Sequence, residues 1–208
     1  MANILYVKAN PKGDEMSFSA RVANTFLDAY QTENTGDKVE TLDLYNTDLP
    51  MIDADVLGGW GKLAAGQELT DAEQAKITRL SQIVDQFLEA DKVVFSAPMW
   101  NFGFPPLMKA YIDAIAVAGK TFKYTENGPV GLSGDKKVAL IEARGGVYSE
   151  GPAQSMEHTE SYFRAVMSFL GINDVTVVLA EGMAADPAAA DEIFGKSVEK
   201  AKEAALNF

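Results

Sequence analysis

Residues 92–106 read KVVFSAPMWNFGFPP. The first part, Lys92 to Ala97, is a short apolar run closed by Pro98, the pattern of a strand buried on both faces. The rest is a loop carrying Met99, Trp100, Phe102 and Phe104. That is a heavy apolar load for a segment that ought to be solvated. A buried strand with an apolar exit loop fits a parallel sheet whose end is covered by something flat.

The same alternation runs outward in both directions. Upstream, Ile4 to Val7 is a first strand, the polar loop Asn10–Glu15 follows, and Val22, Phe26, Leu27 and Tyr30 recur at helical spacing. Val39 to Leu44 (VETLDL) alternates as a second strand. Pro50 to Gly66, rich in Gly and Asp around Trp60, reads as a surface excursion. Thr70 with Glu73 is a capping box that opens a helix reaching Leu88. Downstream, Leu107, Met108, Tyr111, Ile112 and Ile115 mark a helix, and Val138–Glu142 (VALIE) is a fourth strand. Met156–Leu170 is a helix ended by Gly171 as its C′ residue. Val175–Ala180 is a fifth strand and Pro187–Leu206 a terminal helix. This order predicts an α/β fold in one domain over residues 1–208. The expected form is a flavodoxin-like, doubly wound, five-stranded parallel sheet of order 2-1-3-4-5, with helices on both faces.

Composition removes several chemistries. There is no cysteine, so thiol nucleophiles, Cys-ligated zinc and iron–sulfur clusters are excluded. The lone histidine, His158, excludes a His-rich metal site, and no metal is expected. A formal net charge of −12 opposes binding to nucleic acid or to anionic membranes. The N-terminus lacks the apolar core of a signal peptide and no 18-residue apolar run occurs, so a cytoplasmic protein is expected.

In this sheet order the ligand crevice lies beyond the carboxyl ends of strands 1, 3 and 4, which selects the loops Ala9–Ser19, Pro98–Pro106 and Ala143–Pro152. The first loop enters a helix N-terminus, where free N–H groups and hydroxyls of Ser17 and Ser19 suit an anion. It lacks GxGxxG and GxxxxGK[ST], so a mononucleotide fits better than a dinucleotide or a Walker-type site. Plain N-capping by either serine is the alternative. In the second loop Met99, Trp100, Phe102 and Phe104 suit a planar heterocycle and Asn101 offers an amide; a plug of the sheet end or a subunit contact is the alternative. In the third, Gly145 and Gly146 allow close backbone approach and Arg144 offers positive charge; a left-handed turn is the alternative. His158, Glu157 and Glu160 read as a solvated helix face.

With these loops in place, the chain resembles the FMN-dependent NADH-azoreductases, also described as FMN-dependent NADH:quinone oxidoreductases. The resemblance rests on SFS at 17–19, APMWNF at 97–102, TFKYTENGPVGL at 121–132, ARGGVY at 143–148 and FLGI at 169–172. It implies non-covalent FMN, with Asn10, Ser17, Phe18 and Ser19 around the phosphate. Pro98, Met99, Trp100, Asn101 and Phe102 would lie against the ring and Arg144, Gly145 and Gly146 along its pyrimidine side, with Ala143 contacting the cofactor through its backbone and Tyr148 bordering it on the substrate side. It implies a homodimer with active sites at the interface, and a substrate pocket walled by Phe122, Tyr124 and Trp60. NADH would deliver hydride to the flavin N5, and quinones or aromatic azo compounds would then accept two electrons, in ping-pong order. No side chain is essential to that chemistry, Tyr148 being an auxiliary proton donor or substrate contact. The chain departs from the family's common pattern at Asn10, Trp100, Ala143 and Tyr148. A flavodoxin-type electron carrier without its own substrate pocket, which acidity also suits, is the rival reading.

Overall fold

The structure, a computed structural model, describes all 208 residues. Strands β1 (Asn3–Lys8), β2 (Lys38–Asp43) and β3 (Lys92–Pro98) alternate with helices α1 (Phe18–Glu33), α2 (Ala54–Ala64) and α3 (Asp71–Glu89). Helix α4 (Pro106–Ile115) leads into a hairpin, β4 (Phe122–Thr125) and β5 (Gly128–Gly131). Strand β6 (Lys137–Arg144), α5 (Glu160–Phe169), β7 (Asp174–Glu181) and α6 (Ala190–Leu206) complete the chain.

The main sheet has five parallel strands in the order β2-β1-β3-β6-β7. The sequence reading numbered them 2-1-3-4-5. The hairpin, which it did not resolve into strands, takes the numbers 4 and 5 and stands apart as a two-stranded antiparallel sheet. The strands alternate their side chains between two core layers, as the pleat requires. Val93 and Phe95 face α3, α4 and α5, where they meet Phe87, Tyr111 and Phe163. Val94 faces α1 and α6 with Phe26, Tyr30 and Ala201.

Two further expectations change. Pro50–Gly66 is not irregular: it contains α2. Gly58, Gly59 and Gly61 each lower helix propensity by ~1 kcal/mol, which hid it. Asp53 nevertheless caps α2 by accepting the Val56 N–H at 3.1 Å. Gly59 lets α2 approach α3, since a Cβ there would collide with Ile77 and Glu73. The capping box of Thr70 and Glu73 is present at the start of α3. Helix α5 begins at Glu160 rather than Met156, because Pro152–Met156 forms a separate 3-10 turn.

The hairpin docks on the end of α5. Phe122 is buried with its ring centroid 4.5 Å from that of Phe169. Gly131 lies against Gly171, which ends α5 with a left-handed φ of 91°. A Cβ on Gly131 would penetrate the Leu170–Gly171 backbone. Gly131→Ala is therefore expected to lower stability by about 1–3 kcal/mol, read as a lower urea midpoint at unchanged slope. Wild-type stability in that variant would mean that the hairpin does not dock in solution as described.

Candidate active site

The loops after β1, β3 and β6, joined by the segment after β7, enclose a cleft of about 270 Å³ at the carboxyl edge of the sheet. That is close to the lower end of the ~300–1,000 Å³ usual for small-molecule sites.

Its first wall is built on the N-terminus of α1. Ser17 is the N-cap, and its Oγ accepts the Ala20 N–H at 3.2 Å. Asn10 Nδ2 donates to the same Oγ at 2.7 Å, and the Ser17 and Ser19 hydroxyls lie 3.2 Å apart. Ser17 Oγ thus already accepts two bonds, which leaves its proton for Ser19 or a ligand. The N–H groups of Phe18 and Ser19 find no acceptor inside the chain. Capping and anion binding are therefore not rivals here: one residue caps the helix and helps shape the donor cluster. Asp14 turns away and pairs with Lys8 at 2.6 Å.

The second wall is Pro98, Met99 and Trp100. Beyond it the chain reverses in a two-residue turn closed by Trp100 N–H to Gly103 O at 2.8 Å and the reciprocal bond at 3.0 Å. Asn101 and Phe102 sit in the left-handed region at φ 49° and 69°, as a type I′ turn requires. Asparagine tolerates this; phenylalanine is strained by about 1 kcal/mol or more. Neither lines the cleft. Phe102 stands at the rim, edge-on to Tyr148 with centroids 6.0 Å apart. Phe104, counted with the loop's apolar load, turns into the core against Phe163.

The third wall is Ala143, Arg144 and Gly145. Neither Gly145 nor Gly146 adopts a left-handed φ, so the turn alternative falls. Space is tight at both glycines: a Cβ on Gly145 would meet Ala184 at 3.2 Å, and one on Gly146 the Tyr148 ring at 3.1 Å, so either neighbour would have to shift. Their carbonyls accept from Ala184, Ala185 and Gly182, while their own N–H groups have no acceptor in the chain. Gly146 and Tyr148 lie outside the cleft lining.

Arg144 lines the cleft, as its place in the third loop suggests, but from a buried position. Its side chain is fully buried and its charge is spent inside the protein. Nε and Nη2 donate to Glu142 at 3.1 and 2.8 Å, and Nη2 also donates to Thr159 at 3.2 Å. Glu157 lies at 3.4 Å and Glu181 at 3.5 Å from the guanidinium. Burial pushes the Glu142 carboxyl up, and its bonds to Arg144 only partly oppose that. Glu181 in turn accepts the Tyr148 and Ser149 N–H groups at 3.0 and 3.2 Å, which fixes the loop bearing Tyr148. Glu157 is likewise no solvated helix charge: it accepts N–H bonds from Thr159, Glu160 and Ser161 ahead of and within the first turn of α5. His158 is exposed, outside that helix.

The three residues expected to wall a substrate pocket lie elsewhere. Trp60 is half-buried on α2 against the core, and Phe122 belongs to that core under the hairpin. Tyr124 is 74% exposed. Conversely, Lys12, Met16, Met183 and Ala184 line the cleft and were missed. The last two follow β7, a strand the switch-point rule did not select. Lys12 was legible as a cation in a loop proposed for an anion.

Parallel strands, the cleft at their carboxyl edge and the donor cluster at α1 define a flavodoxin-like protein. A family profile described as "Flavodoxin-like fold" matches residues 2–205. An FMN-dependent NADH:quinone oxidoreductase of Staphylococcus haemolyticus is 51% identical over 208 residues, covering all of both chains. Among solved structures, an azoreductase from Bacillus anthracis superposes with a TM-score of 0.94 at 43% identity, with full coverage of both chains. An FMN-dependent NADH-azoreductase from the same organism, in complex with FMN, gives 0.94 at 37% identity, covering 100% of this chain and 99% of its own. The chain belongs to the FMN-dependent NADH:quinone oxidoreductase family.

The Glu157 cap makes stability depend on pH. Burial would raise its carboxyl, but the bonds from Thr159, Glu160 and Ser161 outweigh this and bring it from 4.5 down to about 2. A carboxyl lowered by folding stabilises above its unfolded value and loses that contribution as pH falls from about 4.5 to about 2. Glu157→Gln is expected to cost about 2 kcal/mol at pH 7, after allowance for solvent screening. It should also flatten the loss of stability across that acidic interval. Thermal melts of both proteins at pH 7, 4.5 and 3 check this; parallel losses on acidification would refute the assignment.

Proposed function

We propose that this chain is an FMN-dependent NADH:quinone oxidoreductase that also reduces aromatic azo compounds. The observation that carries this reading is the donor-rich, carboxylate-free cleft placed between an apolar slot and two backbone N–H groups. Its residues fit FMN. Ser17, Ser19, Asn10 and the free N–H groups at the start of α1 suit the phosphate. Pro98, Met99 and Trp100 suit the flat ring, and the N–H groups of Gly145 and Gly146 suit the polar pyrimidine edge, which becomes more negative on reduction. FMN, when bound, supplies the two-electron relay between NADH and the acceptor.

The protein's own contribution is positional. Buried hydroxyls hold the anionic end, and the apolar slot keeps water from one face. Phe102 and Tyr148 frame the mouth, where an aromatic acceptor can stack. One mouth serving donor and acceptor in turn supports ping-pong order. No carboxylate reaches the cleft, so acceptor protons come from water or Tyr148. Exposed apolar side chains outside the cleft, among them Leu57 and Leu63 on α2 and Val130 on β5, support a homodimer. In that arrangement exposed Tyr124 would approach the partner's mouth. A soluble nicotinamide donor suits a cytoplasmic location.

Purified protein reconstituted with FMN is expected to oxidise NADH steadily when menadione is added, without any partner protein. Flavin uptake without turnover would instead support an electron carrier. Tyr148→Phe should lower kcat by about tenfold or less, as for an auxiliary proton donor. A thousandfold loss with FMN retained would make Tyr148 an essential acid.

A further inference from the structure

The cleft is electrostatically unusual for this protein. The chain carries a formal net charge of −12, yet no Asp or Glu lines the cleft. Only two charged residues do, Lys12 and Arg144. Arg144 is neutralised by Glu142, Glu157 and Glu181. Nearby Lys8, a strand residue, is held by Asp14 and Asp43 at 2.6 and 3.2 Å. No carboxylate pairs with Lys12. Its ammonium is the one uncommitted charge of the cleft.

Its backbone is also tied to the donor cluster. The Lys12 N–H donates to Asn10 Oδ1 at 3.0 Å, and the same Asn10 amide donates through Nδ2 to Ser17 Oγ at 2.7 Å. Asn10, Ser17 and Ser19 are all buried. One asparagine therefore ties the Lys12 backbone to the hydroxyl cluster, while the lysine side chain is exposed. A dianionic phosphate on neutral donors alone would lack a counter-charge within a strongly negative protein.

We propose that Lys12 is the counter-cation for the phosphate monoester of the bound flavin and makes the site select phosphorylated over unphosphorylated flavin. This rests on the FMN reading above and adds a residue that the reading does not require. It gives cofactor affinity a salt dependence, because an exposed ammonium acts on the phosphate through screened attraction.

The test compares FMN with riboflavin, which has the same ring and no phosphate, by fluorescence quenching on flavin-stripped protein at low and high salt. Wild type should prefer FMN, and more so at low salt. Lys12→Gln should weaken FMN by about tenfold and riboflavin by less than about twofold, and Lys12→Arg should retain most of the FMN affinity. Unchanged FMN affinity in Lys12→Gln, or equal loss of both flavins, would overturn the proposal. So would a raised KM for NADH at saturating FMN with FMN affinity intact, since Lys12 would then serve the dinucleotide. If wild type bound neither flavin, the FMN reading itself would fall. A wild type that binds both flavins equally would leave that reading standing and remove only the role of Lys12.

Discussion

Every strand of the main sheet runs the same way, and that parallel pairing governs what the molecule can do. It places the chain's exits from β1, β3, β6 and β7 on one edge, the first three at the carboxyl ends of buried apolar strands and the last beside the half-buried edge strand. A parallel sheet also forces a helix between consecutive strands, so the first of those exits meets the start of α1 and its unpaired N–H groups. The donor cluster, the apolar slot and the glycine wall belong to segments far apart in sequence. Only the shared strand direction brings them together.

Charge is then managed around that edge. The acidity of the chain would repel a phosphorylated ligand if it reached the cleft. Instead the carboxylates nearest the site are turned to internal work. Glu142, Glu157 and Glu181 surround one guanidinium beneath the third wall, and Asp14 closes on Lys8 outside the first. Three carboxylates around one buried Arg144 are tolerable because Glu157 and Glu181 also accept backbone N–H groups. Those same bonds hold the start of α5 and the loop bearing Tyr148. The network that offsets the charge of Arg144 beneath the third wall also fixes the loop bearing Tyr148.

The strongly periodic features were legible in the sequence. Apolar runs located all five sheet strands to within a residue or two, and Thr70 with Glu73 located the start of α3, because burial and capping write directly into residue type. The hairpin escaped because Gly128, Pro129 and Gly131 are poor strand formers, held in place by contact with α5 rather than by propensity. Helix α2 escaped for the related reason that its glycines serve close packing on α3. At the site, Ser17, Ser19, Met99 and Trp100 were legible because hydroxyls and aromatics are conspicuous in loops. The direction of a side chain was not. Arg144 in a proposed anion-binding edge looked like a ligand group, and nothing local reveals that carboxylates two, thirteen and 37 positions away claim it. Phe122 and Trp60 show the same limit: an aromatic residue in a loop-like segment does not disclose which side it packs on, and within one chain both pack on the core.

The reversal after Trp100 leaves a mark on how this chain can be improved. Holding a benzyl side chain at position 102 in a conformation suited to glycine keeps the turn under tension, offset only by the ring's edge contact with Tyr148. A laboratory search that rewards heat tolerance alone has an easy move there, since exchanging the ring for a hydrogen relaxes the turn. Such a search would trade away the aromatic overhang at the mouth before it touched the sheet, so durability and catalytic reach pull in opposite directions at a single codon.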